Sequence, residues 1–287
     1  MPVALITGCS TGIGFETAAA MARAGYEVFA TMRNPGAAPD LAALAAKENL
    51  PITIVQMDVD SDESVRDGMQ QILARSRRID VLVNNAGVGG GGPVEEADIA
   101  EYRRVMETNF FGVLRCTQAV LPGMRLQRSC HIINISSVAG RMAMAPQAAY
   151  AASKWALEAM SEVLAQEVKR FGILVALVEP GVIATPIFAK AKQREWGVYY
   201  PQPRRMMALF KASLQNPTPP SVVAHKIVGI VQSGDATLRH PAGPDANGFL
   251  SWRASMTDEQ WIAWGGAESD EEWLRNMKRD LGLDIRL

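Results

Sequence analysis

The sequence predicts an α/β protein of one domain, a doubly wound parallel sheet with helices on both faces and a short helical appendage at the C-terminus. Three observations predict it. Short, β-rich apolar runs recur through the first two thirds of the chain, stretches of helical periodicity separate them, and a glycine-rich turn directly follows the first run.

The runs are 4–7, 27–31, 52–57, 81–84, 131–135 and 174–179. They are almost continuously hydrophobic, as strands buried on both faces must be. Between the first two, residues 14–24 place Phe15, Ala18, Ala19 and Ala22 at i, i+3, i+4 and i+7, the stripe of a helix packed on a sheet. After Pro180 the pattern changes: residues 186–220 mix Trp196, Tyr199, Tyr200, Met206, Met207 and Phe210 with prolines and read as an apolar lid followed by a loop. A helix over 221–232 and a short strand near Leu238 return the chain to the sheet. The catalytic domain is therefore expected over 1–245. Residues 246–287 form the appendage, with Thr257-x-x-Gln260 and Ser269-x-x-Glu272 as capping boxes that each open a short helix.

Composition narrows the function. With 29 Lys and Arg against 30 Asp and Glu there is no global basic field to draw the chain to nucleic acid or an anionic membrane, so a ligand must be recognised locally. No apolar run reaches the roughly 18–20 residues that span a bilayer, and no secretory signal is legible at the N-terminus. Cys9, Cys116 and Cys130 are too few and too far apart for a disulfide framework or a zinc site, so no metal is expected and a reducing cytoplasm fits. Cys9 reads either as a reactive thiol or as a small filler.

The first run leads into Thr7-Gly8-Cys9-Ser10-Thr11-Gly12-Ile13-Gly14 and then a helix. Glycines at such a turn bring backbone amides and the positive end of a helix dipole against a pyrophosphate. The second run ends Thr31-Met32-Arg33, with no acid to bond a ribose 2′-hydroxyl and a guanidinium suited to a 2′-phosphate. NADP is expected, with NAD as the alternative; Arg33 could also be a solvated surface charge. After the fourth run, Asn84-Asn85-Ala86-Gly87 supplies asparagines that can brace neighbouring strands, and small residues that let a ligand approach the backbone. Tyr150 and Lys154 stand at i and i+4, on one face of a helix. Ser136-Ser137 closes the fifth run thirteen residues before Tyr150, and Asn109 lies on the helix preceding that run.

Together these segments resemble the short-chain dehydrogenase/reductase family over about residues 3–245, through its T-G-x3-G-x-G loop, its N-N-A-G segment, its Tyr-x3-Lys pair and its P-G turn, here Pro180-Gly181. The resemblance implies a Rossmann-like fold and an Asn109, Ser137, Tyr150 and Lys154 tetrad that moves a proton as hydride passes between a nicotinamide and a carbonyl or alcohol carbon. Asn109 would hold a water connecting Lys154 to solvent; it could instead be a helix-bend residue, and Ser136 could replace Ser137. The resemblance also implies cofactor contacts from Gly8, Ser10, Thr11, Gly12, Ile13, Gly14, Arg33, Asp58, Val59, Asn85, Ala86 and Gly87, with Asp58 near the adenine or serving only as a turn cap. Pro180, Gly181, Val182 and Thr185 would seat the nicotinamide carboxamide, beside Tyr150 and Lys154. A phenol has a pKa near about 10, so Lys154 and an oxidised nicotinamide are expected to favour its ionised form.

The lid aromatics, Trp252, Met142, Met144 and Pro146 suggest a small, hydrophobic alcohol or carbonyl substrate, with a weaker likeness to hydroxysteroid and retinol dehydrogenases. Family members commonly dimerise through the helices beginning near Tyr102 and Tyr150, so a homodimer or homotetramer is expected, using Ala156, Leu157, Met160 and Leu164. The alternatives are a non-catalytic NADP-binding regulator, and an epimerase or dehydratase of related fold.

Overall fold

The structure is a computed structural model that describes residues 1–187 and 201–287. Trp196, Tyr199 and Tyr200 lie outside the described residues.

Seven parallel strands form one sheet in the order β3-β2-β1-β4-β5-β6-β7: β1 Val3–Ile6, β2 Glu27–Met32, β3 Ile52–Gln56, β4 Val81–Asn84, β5 Cys130–Ile135, β6 Ile173–Pro180 and β7 Arg239–Ala242. The order reverses between β1 and β4, and in doubly wound sheets the crevice at such a reversal, beyond the carboxyl ends of the strands, is where ligands bind. Both the glycine turn after β1 and the Asn85-Ala86-Gly87 segment after β4 open into it.

Alternate strand residues feed two separate cores. Ile6, Ala30, Val83, Ile133 and Val178 face α1 (Gly12–Arg23), α2 (Asp40–Glu48) and α8 (Pro220–Ser233), whereas Leu5, Phe29, Leu82, Ile132 and Val175 face α3 (Asp62–Ser76), α5 (Gly112–Gln127) and α6 (Ala148–Val168). Two buried faces explain why the strands read as unbroken apolar runs. The helix α4 (Ile99–Met106) runs into α5 through a π-helical turn, Glu107–Phe111.

Within residues 186–220, of which 188–200 lie outside the described residues, a helix stands where a loop was expected. Gln202–Ser213 is helix α7, which buries Met206, Ala208 and Leu209, while Ala184 donates a backbone hydrogen bond of 2.9 Å to Thr218. Its prolines did not break the helix because Pro201 and Pro203 stand at its start, where amide donors have no intrahelical partner. The tail carries α9 (Ala246–Ala254) as well as the two helices opened by the capping boxes, α10 (Asp258–Gly265) and α11 (Asp270–Leu281). The first box closes in both directions; in the second, Ser269 accepts from Glu272 N, but the Glu272 carboxylate turns to the Glu268 amide. A third apolar cluster joins Phe249, Trp252, Trp264, Trp273 and Met277 to Met206 and Leu209, and to Val138, Met142 and Val182 beside the sheet's carboxyl edge.

No helix among the described residues is long and apolar enough to cross a membrane. Cys9 is buried, its thiol 3.2 Å from Ile6 O and its pKa pushed up by burial, the setting of a filler rather than a reactive group.

Candidate active site

The glycine turn is shaped by close approach. Gly8 and Gly12 have φ of +72° and +63°, which side chains rarely adopt. A methyl group on Gly8 would stand 2.7 Å from Ala86 Cα, and one on Gly14 would stand 2.4 Å from Asn85 Nδ2 and 2.5 Å from Gly8 O. The turns after β1 and β4 are thus fitted to each other, with Thr7 and Asn85 as the fasteners. Thr7 Oγ1 accepts the Asn85 and Ala86 amides at 3.0 and 2.9 Å, and Asn85 Nδ2 donates to Thr7 O and Gly8 O at 2.8 and 3.1 Å.

Beyond this cradle, α1 begins with Thr11 at its cap position, no side chain capping its first amides and no acid in its first turn. Ser10 is half-buried, Thr11 is exposed and Ile13 packs against the core. Open amides at a helix N-terminus, next to backbone that carries no side chains, fit a dinucleotide pyrophosphate. Thr185 closes the far side: its Cγ2 would lie 3.3 Å from a methyl on Gly12.

The other expected cofactor residues divide. Arg33 is exposed at the end of β2, near enough to Asp60 to favour that carboxylate's charge. Asp58 Oδ1 accepts the Asp60 amide at 3.2 Å within its own turn. The Val59 side chain belongs to the core, packed against Gly112, where a methyl would meet it at 2.8 Å. Met32 is buried at 3% exposure among the residues that pack α1 and α2 on the sheet.

A second set of contacts leads to the catalytic candidates. A methyl on Gly87 would lie 3.4 Å from Asn109 Oδ1 and 4.0 Å from Lys154 Nζ, so the cradle abuts the tetrad. Asn109 is fully buried in the π-helical turn, a deformation common at functional sites. Its Oδ1 accepts the Val88 amide at 2.8 Å, and its Nδ2 donates to Val88 O and Ser153 Oγ, each at 3.0 Å. Asn109 therefore braces the loop after β4 against α6. Ser153 in turn donates to Tyr150 O at 2.7 Å, fixing the first turn of the helix that bears the tyrosine.

Ser137 caps the short turn Val138–Gly140 by accepting the Ala139 amide at 3.1 Å, which leaves its hydroxyl proton free to donate. It also interacts with the Tyr150 hydroxyl, favouring the ionised phenol. Ser136 Oγ points elsewhere: it is buried with no protein partner among the described residues, against Gly140. Of the adjacent serines it is Ser137 that meets Tyr150.

Lys154 donates to Ile135 O at 2.8 Å, and its ammonium lies 5.8 Å from the centre of the Tyr150 ring. Burial lowers its pKa to about 8, opposed by the charge of Glu158 one helical turn on. In the protein without cofactor, burial raises the Tyr150 pKa and the hydrogen bond with Ser137 works in the other direction.

Asn84 braces neighbouring strands as expected, donating to Asn134 Oδ1 and Thr117 Oγ1 at 2.8 and 3.2 Å, but its partners carried no signal of their own in the sequence: Asn134 donates to Ser161 Oγ at 2.8 Å, completing a buried polar ladder behind the tetrad. Glu158 is buried and paired with Arg239 at 2.9 Å; Glu179 is buried and faces Arg141 at 3.5 Å. The Ala156, Leu157, Met160 and Leu164 stripe is only partly available to a partner chain. Leu157 and Leu164 are core residues at 0% and 6% exposure, and the large apolar groups that α6 exposes are Trp155 and Val163.

The model of the short chain dehydrogenase family matches residues 2–196. Human retinol dehydrogenase 8 is 39% identical over 255 residues, covering 82% of this chain and 79% of its own. A solved short-chain dehydrogenase from Streptomyces avermitilis superposes with a TM-score of 0.79 at 36% identity, covering 92% of this chain and 96% of that one. A variant of the actinorhodin polyketide ketoreductase, solved with NADPH, gives 0.73 at 27% identity, covering 84% and 95%. On these matches the chain belongs to the short-chain dehydrogenase/reductase family and is an NAD(P)-dependent oxidoreductase acting on alcohol or carbonyl groups.

Proposed function

We propose that the protein is NADP-dependent and interconverts a hydrophobic secondary alcohol with its ketone, or an alcohol with its aldehyde, using Tyr150 as proton donor and acceptor. The observation that carries this reading is the Lys154 ammonium set 5.8 Å from the ring of Tyr150, whose hydroxyl meets Ser137, with the same ammonium lying against Gly87 of the segment after β4.

When bound, the nicotinamide supplies or accepts the hydride. The chain's own groups do the rest. Ser137, its lone pair engaged by the Ala139 amide, donates to the substrate oxygen and orients it. Tyr150 delivers a proton to that oxygen as negative charge develops, so a phenol held protonated by burial suits reduction. Lys154 is cationic below about pH 8 and supplies the positive field that eases loss of the phenolic proton. Asn109 and Ser153 hold the loop after β4 and the first turn of α6 in mutual register. Gly8, Gly12 and Gly14, with Ser10, Thr11 and Ile13, would hold the pyrophosphate; Asn85, Ala86, Asp58 and Val59 the adenosine side; Gly181, Val182 and Thr185 the nicotinamide side.

Arg33, exposed where no acid ends β2, supports a 2′-phosphate and hence NADP. The apolar cluster of Val138, Met142, Val182, Met206 and the C-terminal tryptophans supports a hydrophobic substrate. Among the matches one is named for retinol and one for a polyketide. Exposed Phe111, Trp155 and Val163 on the α5 and α6 side support a symmetric oligomer.

The test is the absorbance of NADPH, and separately of NADH, with steroid, retinoid, aromatic and aliphatic carbonyls. Consumption of NADPH in preference to NADH with an apolar carbonyl is expected. Binding of NADPH without turnover of any carbonyl or alcohol would favour a regulator instead.

A further inference from the structure

The turn after β6 is held by a residue from the far end of the chain. Asp245 follows β7 and immediately precedes α9, where an aspartate ordinarily caps its own helix. It does not: no side-chain cap bond is made at that end of α9. Its Oδ2 instead accepts the Val182 amide at 2.8 Å, across 63 residues. The carboxylate lies so close on Gly181 that a methyl there would stand 2.1 Å from Oδ1, and the same oxygen is 3.1 Å from the methyl position of Gly243. Oδ1 is itself buried and makes no hydrogen bond to the described residues. Leaving a buried acceptor unsatisfied is unfavourable by about 1–3 kcal/mol, so the carboxylate is a poor choice for packing alone.

What the clamp holds is one wall of the crevice. The turn from Gly181 to Thr185 lies at the carboxyl end of β6, and Thr185 packs on Gly12 of the cradle. Two residues on, Ile187 comes within 3.6 Å of the methyl position of Gly89 in the loop after β4, so a dinucleotide laid on the glycine turn and reaching toward Tyr150 would run beside Thr185. The first two donors beyond β6 are both taken: Gly181 N donates to Ala242 O at 3.0 Å and Val182 N to Asp245, so Asp245 and β7 together fix both peptides at the base of this wall.

We propose that Asp245 is a positioning residue for the nicotinamide half of the cofactor: its carboxylate sets the Gly181–Thr185 turn at the width the ring requires. The proposal rests on the reading that the cradle holds a nicotinamide dinucleotide, and the experiment keeps the two apart. Purified Asp245→Asn and Asp245→Ala proteins are titrated with NADPH and with adenosine 2′,5′-bisphosphate, which lacks the nicotinamide half, and apo thermal midpoints are recorded. The alanine variant is expected to bind NADPH about tenfold more weakly, which is about 1.4 kcal/mol, with bisphosphate affinity unchanged. The asparagine variant, which keeps an oxygen for the Val182 amide, stays within about threefold of wild type. A folded alanine variant that binds NADPH as wild type does, or that loses both ligands alike, overturns the proposal. Where alanine does not fold, Asp245→Ser, too short to reach Val182, is read by the same two titrations. If wild-type protein binds neither ligand, it is the cofactor reading that fails.

Discussion

The two ends of the crevice are made by opposite means. At the β1–β4 end the site is an arrangement of backbone, with glycines in contact with neighbouring main chain and side chains, two fasteners in Thr7 and Asn85, and an uncapped helix start. At the β5–β6 end it is an arrangement of buried polar and charged side chains: Asn109, Ser137, Ser153, Lys154, Glu158 and Glu179 are all at 9% exposure or below. The first end offers a shape and fixed dipoles, which involve little desolvation of charge. The second holds charge against burial, and so gives up stability for chemistry.

The largest effect that sharpens this contrast belongs to Tyr150→Phe. Turnover should fall by about 10³, within the range of general acid–base contributions, while NADPH affinity stays within about twofold, because the cradle does not need the hydroxyl. Retained turnover would remove Tyr150 from the chemistry.

Gly14→Ala should act at the other end and in the opposite sense. Its methyl would have to displace Asn85 and the Gly8 carbonyl. We expect a thermal midpoint about 5 °C lower, as for overpacking of about 1–3 kcal/mol, and NADPH binding weakened more than tenfold. An unchanged midpoint would mean that the two turns are not fitted as tightly as described.

Lys154→Met separates function from stability. The lysine's folded pKa, about 8, lies below its ordinary 10.5, so the folded state disfavours the cation. Between these values the unfolded chain binds more protons than the folded one, and this group makes stability rise with pH across about 8 to 10.5. At neutral pH the charged lysine therefore costs about 3 kcal/mol at about 1.4 kcal/mol per unit. The methionine variant should be inactive and yet melt several degrees higher at pH 7, an advantage that shrinks by pH 10. Calorimetry at both values checks it. A destabilised variant would contradict the picture of a buried charge held at a cost.

Glu158→Gln is a milder probe of the same end. Removing the one charge that raises the Lys154 pKa should move the alkaline limb of kcat/KM to lower pH. An unmoved limb would detach Glu158 from the lysine.

The smallest effect returns to the cradle. Arg33→Ala should weaken NADPH by about tenfold, as for a lost charge-assisted contact, and leave NADH unchanged. Met32→Asp is the less clean test of cofactor choice, because Met32 is buried and a carboxylate there would disturb the α1 and α2 packing.

The shape end was the more legible in sequence. Its glycines are contiguous, its strand runs are continuous, and its turn chemistry is local, so residues 7–14 and 84–87 stand out from the sequence alone. At the charged end Tyr150 and Lys154 were legible because i and i+4 share a helix face. Their supports were not. Ser153 reaches across 44 residues to Asn109, Asn134 across 50 to Asn84, Arg239 across 81 to Glu158 and Asp245 across 63 to Val182. No periodicity records contacts of that span. The helix α7 was hidden for a different reason: prolines that begin a helix look, in isolation, like prolines that end one.

One contact places the tail in a different light. Trp261 in α10 donates from its indole to Ala143 O at 2.8 Å, in the loop that runs from Ser137 to the Tyr150 helix. It does so from within an aromatic group in which Trp252 and Trp264 lie 5.0 and 5.5 Å from it, centre to centre. The tail is thereby joined to the loop that carries the chain from Ser137 into the Tyr150 helix. Substitutions in the last forty or so residues are thus expected to be felt first in that loop and not in the glycine turn, a mechanical link from the end of the chain to its middle.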